Sequence, residues 1–121
     1  MPKIDLNKQI ALNWIDAFNK HDLKKLLNLY AIDAIHYSPK LKLKQPSTNG
    51  WIKGKSALED WWAMAFSQIS SLQYLLKNLI VNEEQVLMEY LRQADGEADM
   101  MVAEILEIKD NLIVKSRLYH G

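Results

Sequence analysis

The sequence is poor in residues that cross-link chains, interrupt elements or anchor a protein in a membrane. It has no cysteine, three prolines and four glycines in 121 residues. Disulfides and thiolate zinc sites are therefore excluded, and the composition fits a reducing compartment. No stretch approaches the ~20 apolar residues of a membrane-spanning helix, and the N-terminal "MPKIDLNKQI" lacks an apolar signal core. We expect one soluble, cytoplasmic domain over residues 1–121.

The charge balance excludes whole classes of partner. Fifteen Lys and Arg balance fifteen Asp and Glu, so no overall field attracts nucleic acid or an anionic membrane. The metal-site spacings H-x-x-x-H and H-E-x-x-H are absent, as are a P-loop, a G-x-G-x-x-G motif and a G-x-S-x-G elbow. We expect no metal, no cofactor, no nucleic-acid partner and no membrane partner.

Apolar periodicity predicts three helices in the first part of the chain. The first spans residues 4–20, and the second follows Asp22, which can cap it. The third opens at Ser56 and Glu59, which have the S-x-x-E spacing of a capping box. Between the last two helices, "KLKLKQPSTNG" at 40–50 is predicted as a mobile loop or an edge segment.

Strands dominate the rest of the sequence. "AIHYSP" and "WIKG" are predicted as brief strands, and Asp95-Gly96 is a strong signal for a two-residue hairpin. Helices first and a meander last indicate an α+β fold with helices on one face of an antiparallel sheet. The longer predicted strands are 72–82, 85–93, 98–109 and 112–120.

Glu104 raises a question of strand parity, because it lies on the more apolar face of its strand. If a two-residue loop at 110–111 joins the last strands, Glu104 faces Arg117 in a surface ion pair. If the loop is 109–111, with its last residue left-handed, Glu104 faces Ser116. Hydrophobic matching favours the longer loop and an inward Glu104. The apolar residues on its face are Val102, Leu106 and Ile108.

Three segments carry a family resemblance: "WIDAFNKHDLKKLLNLYAIDAIHYSP", "IKGKSALEDWW" and "AEILEIKDNLIVKSRLYHG". In this order they resemble the SnoaL-like branch of the nuclear transport factor 2-like superfamily. The resemblance implies a cone-shaped, strongly curved antiparallel sheet wrapped on three N-terminal-side helices, a cystatin-like α+β barrel with a pocket. Members include polyketide cyclases, ketosteroid isomerases, limonene epoxide hydrolases and proteins with no catalytic role, so fold alone does not assign an activity.

The resemblance to ketosteroid isomerases places three functional positions in this chain. Their general-base Asp, just before a Pro, corresponds to Ser38 before Pro39. Their oxyanion-hole Tyr on the first helix corresponds to Trp14, whose indole can donate one hydrogen bond. Their second oxyanion-hole carboxyl corresponds to Glu104, the one position that keeps an acid.

Other polar residues are expected near Glu104. A two-residue loop at Asp95-Gly96 puts Glu89 on the same face, and two carboxyls in an apolar pocket raise each other's pKa, so that one can act as acid and the other as base. The opposite parity of strand 85–93, with Met88 and Tyr90 inward, stays open. His36 shares the parity of Ser38 and is either an acid–base partner or a satisfied buried histidine. His120 is placed at the pocket mouth, with its backbone ~13 Å from that of Glu104.

The sequence thus predicts a pocket for a small hydrophobic molecule, with proton transfer of isomerase, cyclase or hydratase type. The alternative is a non-catalytic ligand-binding or dimerisation module of the same fold. An apolar outer sheet face, formed by Met88, Tyr90, Met101, Ala103, Ile105, Ile113 and Tyr119, predicts a homodimer. The predicted catalytic residues are Glu104, Glu89, His36 and His120. The predicted ligand-binding residues are Trp14, Phe18, Ser38, Trp51, Trp62, Phe66, Val102, Ser116 and Leu118.

Overall fold

The computed structural model describes residues 2–120. Its helices are α1 (Lys3–Asn19), α2 (Leu23–Leu27), α3 (Pro39–Lys44) and α4 (Lys55–Gln68), with a 3₁₀ turn at Pro46–Thr48. Its strands are β1 (Tyr30–Tyr37), β2 (Trp51–Lys53), β3 (Gln73–Val81), β4 (Gln85–Gln93), β5 (Met100–Lys109) and β6 (Leu112–His120).

The first two helices form for the reasons that the sequence suggests. The stripe of α1 buries Trp14 and Phe18 against the sheet. Asp22 caps α2 by accepting a hydrogen bond of 3.1 Å from the backbone N–H of Lys25. Tyr30, which continues the apolar stripe of α2, instead begins β1 and is fully buried.

Two local predictions are wrong. The segment 40–50 contains helix α3, because Pro39 at the first helical position has a pre-set φ and Leu41 is buried against the core. Helix α4 begins at Lys55 with Gly54 as its N-cap, and the described residues supply no side-chain cap. Ser56 is therefore already inside the first turn and forms no capping box.

The six strands form one curved sheet in the order β2-β1-β6-β5-β4-β3. The α+β class and the cone-like shape are confirmed, with two refinements. The sheet is mixed, because β1 and β6 pair in parallel while the other neighbours are antiparallel. In the sheet of residues 2–120, β2 and β3 form the two edges, so the cone does not close into a barrel.

The β5–β6 hairpin turns Glu104 inward by an unexpected route. Asp110 and Asn111 have φ values of 52° and 63°, which defines a two-residue loop with both residues left-handed, so the predicted three-residue loop is wrong. A register shift then leaves Val114 without a cross-strand partner, and this bulge reverses the parity of the remaining ladder. Glu104 pairs with Leu118, not Ser116 or Arg117, and is 1% exposed.

The β4–β5 pairing contradicts the predicted pair of carboxylates. The connection between the strands spans 94–99 instead of two residues, and Met88 pairs with Glu104. Met88 and Tyr90 therefore point inward, which is the alternative parity. Glu89 lies on the outer face, where its Oε1 accepts a hydrogen bond of 3.1 Å from the Asn78 amide.

The outer sheet face is less apolar than predicted. Met88, Tyr90 and Ile113 are buried inside the cone, whereas Met101 and Tyr119 remain 41% and 48% exposed. The homodimer and the cytoplasmic location stay predictions. Across residues 2–120, no helix combines the length and the apolar character needed to cross a membrane.

The left-handed turn provides a test of the hairpin geometry. Asn111→Gly should raise the free energy of unfolding by ~0.5–1 kcal/mol, because glycine adopts positive φ without steric cost. The same change at Asn13, inside α1, should lower stability instead. Urea denaturation followed by tryptophan fluorescence measures both. A stabilised Asn13→Gly variant, or a destabilised Asn111→Gly variant, would contradict the assigned turn.

Candidate functional site

A cavity of about 110 Å³ lies between α1, α4 and the inner face of the sheet. It is smaller than the ~300–1,000 Å³ of sites for drug-sized ligands, so it suits a small molecule. Its wall is largely aromatic and aliphatic, with polar groups from β1, β4, β5 and β6. The wall comprises Trp14, Phe18, His36, Ser38, Lys40, Lys44, Trp61, Trp62, Met64, Ala65, Gln68, Ile69, Leu72, Tyr74, Tyr90, Arg92, Val102, Glu104, Leu118 and His120.

The carboxyl of Glu104 is the central polar group of this wall. The Tyr90 hydroxyl donates a hydrogen bond of 2.7 Å to its Oε1. Its Oε2 is buried and has no hydrogen-bond partner among residues 2–120. A buried polar atom without a partner costs ~1–3 kcal/mol. One oxygen is thus fixed by the protein, and the other has no partner from residues 2–120.

Burial raises the pKa of this carboxyl, so it stays protonated at pH values at which an exposed glutamate is ionised. Burial raises the pKa of Glu104 from 4.5 to about 7, against the opposing effect of the Tyr90 hydrogen bond. Burial, and next the nearby Glu104 charge, raise the pKa values of Tyr30, Tyr74 and Tyr90, which face Glu104 from β1, β3 and β4. Near neutral pH, Glu104 can therefore exist in both forms while the tyrosines stay protonated.

Stacked aromatic rings form one side of the cavity. The Tyr74 ring lies 4.0 Å from Phe18 and 4.1 Å from Tyr90, measured between centroids. Trp14 stacks on Phe18 at 5.3 Å. Such a wall favours a flat apolar ligand and fixes the Tyr90 ring that holds Glu104.

A buried relay of hydrogen bonds begins at the same Trp14. The Trp14 indole donates to the Tyr30 hydroxyl at 3.0 Å, and that hydroxyl donates to Ser116 Oγ at 2.9 Å. Ser116 Oγ lies 2.6 Å from Nδ1 of His36. Because indole can only donate, the order of the relay is fixed from its start. The Trp14 N–H is thus engaged by the protein, unlike the ligand-facing donor that the resemblance suggested.

The relay sets the tautomer of His36. If Ser116 uses its one hydrogen toward Nδ1, every buried donor in the relay has an acceptor. His36 then carries its proton on Nε2. Burial lowers the pKa of His36 to about 3, so it stays neutral. It is a buried histidine whose Nδ1 is engaged by Ser116, and it is also part of the cavity wall.

His120 lies closer to Glu104 than predicted. Because Glu104 pairs with Leu118 and Val102 with His120, Glu104 and His120 are diagonal neighbours with backbones ~7–8 Å apart. Burial, and next the charges of Lys40 and Arg92, lower the pKa of His120. Its imidazole is therefore neutral near pH 7, two positions beyond the partner of Glu104 on the same face of β6.

The structure divides the predicted site residues into two groups. Those on the cavity wall are His36, His120, Glu104, Trp14, Phe18, Ser38, Trp62, Val102 and Leu118. Four others are not on it. Glu89 and Trp51 lie on the outer face, Phe66 packs between Phe18 and His21, and Ser116 acts behind His36.

Sequence reasoning missed important wall residues on β4. Tyr90 and Arg92 follow Met88 at intervals of two residues, and burial alternates along the whole strand. In the sequence, the apolar Val86, Met88 and Tyr90 at intervals of two indicate this parity, whereas the Asp95-Gly96 pair favours the opposite one. Within residues 2–120, no group of His, Asp and Glu side chains is arranged to hold a metal ion.

This fold agrees with comparisons to known proteins. The sequence profile of the SnoaL-like domain matches residues 11–116. The chain belongs to the SnoaL-like family. The resemblance noted above is therefore confirmed, and with it membership of the nuclear transport factor 2-like superfamily. No curated protein matches this SnoaL-like sequence significantly.

Solved structures show the same SnoaL-like architecture. A SnoaL-like protein of unknown function from Burkholderia thailandensis E264 is 26% identical, with a TM-score of 0.84 over 97% of this chain and 95% of that one. A candidate ketosteroid isomerase from Kribbella flavida DSM 17836 is 15% identical, with a TM-score of 0.81 over 100% and 82%. A candidate polyketide cyclase from Sinorhizobium meliloti is 18% identical, with a TM-score of 0.79 over 98% and 100%. The last two likenesses show the fold alone.

The raised pKa of Glu104 predicts how stability depends on pH. Both states are protonated below pH 4.5, and between pH 4.5 and 7 only the unfolded state ionises. The native protein should therefore lose ~2–3 kcal/mol over this interval relative to Glu104→Gln, which cannot ionise. Denaturation at pH 4.5 and pH 8 measures the difference. Glu89→Gln, on the outer face, serves as the matched control, and an equal pH response in both variants would contradict the assignment.

Breaking the relay gives a second test. Ser116→Ala leaves the hydroxyl hydrogen of Tyr30 without an acceptor and His36 Nδ1 without a donor, and should cost ~1–3 kcal/mol. Ser67→Ala, on the exposed surface of α4, should change stability by less than ~0.5 kcal/mol. Nitrogen NMR of His36 should show the Nε2–H tautomer in the native protein. Finding the Nδ1–H tautomer would contradict the assigned donation from Ser116 to His36.

Proposed function

We propose that this protein binds a small apolar molecule in the cavity and transfers a proton between that molecule and Glu104. One observation carries the proposal: a buried carboxyl faces an aromatic cavity with Oε2 unpartnered among the described residues and a pKa of about 7. Such a pKa suits general acid–base catalysis, because both forms are populated at the working pH.

The geometry assigns different roles to the two oxygens of Glu104. Oε1 accepts from Tyr90 and fixes the carboxyl plane. Oε2 carries the proton in the neutral form and donates it to a carbonyl or hydroxyl oxygen of the ligand. In the ionised form the same oxygen can take a proton from a carbon beside a carbonyl.

A second polar group is needed if charge develops on the ligand. His36 presents Nε2–H to the cavity as a neutral donor, and donors placed where charge develops stabilise a transition state. His120, also neutral, is the nearest candidate for the complementary base. In this proposal Glu104 is the acid and His120 is the base. This pair replaces the predicted pair of carboxylates, Glu104 and Glu89.

The relatives support this reaction class. Isomerisation of a ketone and cyclisation of a polyketide both move a proton at carbon beside a carbonyl. The candidate isomerase and cyclase with this fold are named for those two reactions. Hydration stays a further possibility of the same acid and base.

A non-catalytic binding module is the second candidate, and one position favours it. Ser38 stands where ketosteroid isomerases have their general base, and Ser38 is almost fully buried. A hydroxyl of ordinary acidity cannot replace a carboxylate as base. In that case Glu104, Tyr90 and His36 would orient a ligand without changing it.

Exchange of α-hydrogens tests the enzymatic proposal. The intact protein should accelerate deuterium incorporation into 1-indanone, a small aromatic ketone, as followed by proton NMR. Glu104→Gln should lower this acceleration by ~10²–10⁴-fold, because the proton carrier is lost. Glu89→Gln should leave it within about twofold of the native rate.

The pH profile and the binding data separate the alternatives. A rate that falls above pH ~7 identifies Glu104 as acid, and a rate that rises toward pH ~7 identifies it as base. Binding of 1-indanone without exchange, changed at most about tenfold by Glu104→Gln, would favour the binding module. Equal exchange rates in native protein and Glu104→Gln would refute proton transfer through this residue.

A further inference from the structure

Positive charge gathers at one end of the cavity. We define the basic rim as Lys40 and Lys44 of α3 together with Arg92 of β4, all on the cavity wall. Within the described chain, Glu104 is the one carboxyl on that wall. The rim therefore faces a cavity whose only acid is neutral over much of the pH range below 7.

Arg92 is the buried and positioned member of the basic rim. The residue is 6% exposed, although it carries a guanidinium with five N–H donors. Within residues 2–120, its one side-chain hydrogen bond is from Nη1 to Oε1 of Glu97, at 3.0 Å. The side chain of Glu97 is 46% exposed on the 94–99 connection. A buried guanidinium thus keeps free donors beside the cavity, and its one anionic partner can move into solvent.

Neighbouring groups respond to this charge. Burial, and next the charge of Arg92, lower the pKa of Lys40, although Glu97 acts in the opposite direction. His120 is affected by Lys40 and Arg92 in the same way. The three cationic side chains of the rim outnumber Glu97, the carboxylate paired with Arg92, so an added anion would be favoured there.

The sheet register fixes where the rim lies relative to Glu104. Glu104 on β5 is opposite Met88 on β4. Arg92 lies four residues after Met88 on β4 and on the same face of the sheet. The backbones at the two levels are therefore ~13 Å apart. Tyr90 lies between them, and the stacked wall of Phe18 and Tyr74 runs beside it. A ligand with an aromatic ring and a polar group at each end would match this order of Glu104, aromatic wall and basic rim.

We propose that the ligand of this cavity is a small aromatic or unsaturated carboxylic acid, whose carboxylate binds Arg92 and Lys40 at the basic rim. The planar guanidinium matches a carboxylate with two parallel hydrogen bonds. The ring packs on the aromatic wall, and the opposite end of the ligand reaches Glu104. This last placement rests on the function proposed above, whereas the charge preference does not.

The charge preference can be measured with two probes of the same shape. Phenylacetate and phenylacetamide differ in charge but hardly in size, and binding of each to the full chain can be followed by calorimetry at low salt. We expect phenylacetate to bind at least about tenfold more tightly at pH 7.5. Added salt should reduce this ratio only modestly, because it screens Lys40 and Lys44, which are at least partly exposed, more than the buried Arg92.

Two variants at the rim should move the ratio in opposite directions. Arg92→Met should lower the affinity ratio at least about threefold, because the guanidinium fork is lost while Lys40 remains. Glu97→Gln should raise it at least about threefold, because the competing anion is removed. Glu97 is exposed, so this variant tests the proposal even if Arg92→Met fails to fold. Arg117→Met, at an outer-face arginine paired with Glu107, is the matched control and should leave the ratio unchanged.

The outcomes separate this inference from the proposed function. A native ratio of one or less, or a ratio that Glu97→Gln lowers, would overturn the carboxylate proposal and leave proton transfer by Glu104 untouched. A ratio that persists in Glu104→Gln supports it, even if that variant retains full exchange activity and the proton-transfer proposal falls. Equal ratios in native protein and a folded Arg92→Met variant would also overturn it.

Discussion

The cavity depends on one interaction, the hydrogen bond from Tyr90 to the buried carboxyl of Glu104. Removing a carboxyl from water penalises its ionised form, and here that penalty exceeds the stabilisation that a tyrosine donor gives the anion. The ring of Tyr90 is in turn fixed by stacking on Tyr74. A carboxyl held in this way keeps its position whether it is neutral or charged, which is what repeated proton transfer requires.

The inward position of Glu104 is a consequence of backbone geometry. The two-residue turn by itself would pair Glu104 with Arg117 at the surface, and the bulge at Val114 reverses that outcome. The unpaired Val114 thus determines whether the Glu104 carboxyl points to solvent or into the cavity. The bulge also places Ile113 and Ser116, which differ in strand parity, in the same interior. β6 therefore supplies both core packing and the centre of the hydrogen-bond relay.

The sequence was informative where a pattern repeats and uninformative where one residue changes the register. Apolar stripes located α1 and α2, and alternation located the four long strands. The inward parity of Glu104 followed from hydrophobic matching, although the bulge that produces it leaves no clear signal in "NLIVKS". On β4 the same reasoning failed for Glu89, because a six-residue connection cannot be distinguished from a tight turn by an Asp-Gly pair alone. The relay and Arg92 needed three-dimensional structure, since their partners come from distant segments.

The parallel pairing of β1 with β6 has a consequence for how this protein acquires its shape. β6 is the last strand in sequence but lies in the interior of the sheet, between β1 and β5. Tyr30 and Ser116, which are hydrogen-bonded, are separated by 86 positions. Contacts between such distant segments close large loops and slow the folding of a chain. During synthesis on the ribosome, β1 and β2 therefore cannot join β3, β4 and β5 in one sheet until β6 has emerged. The cavity is completed only then.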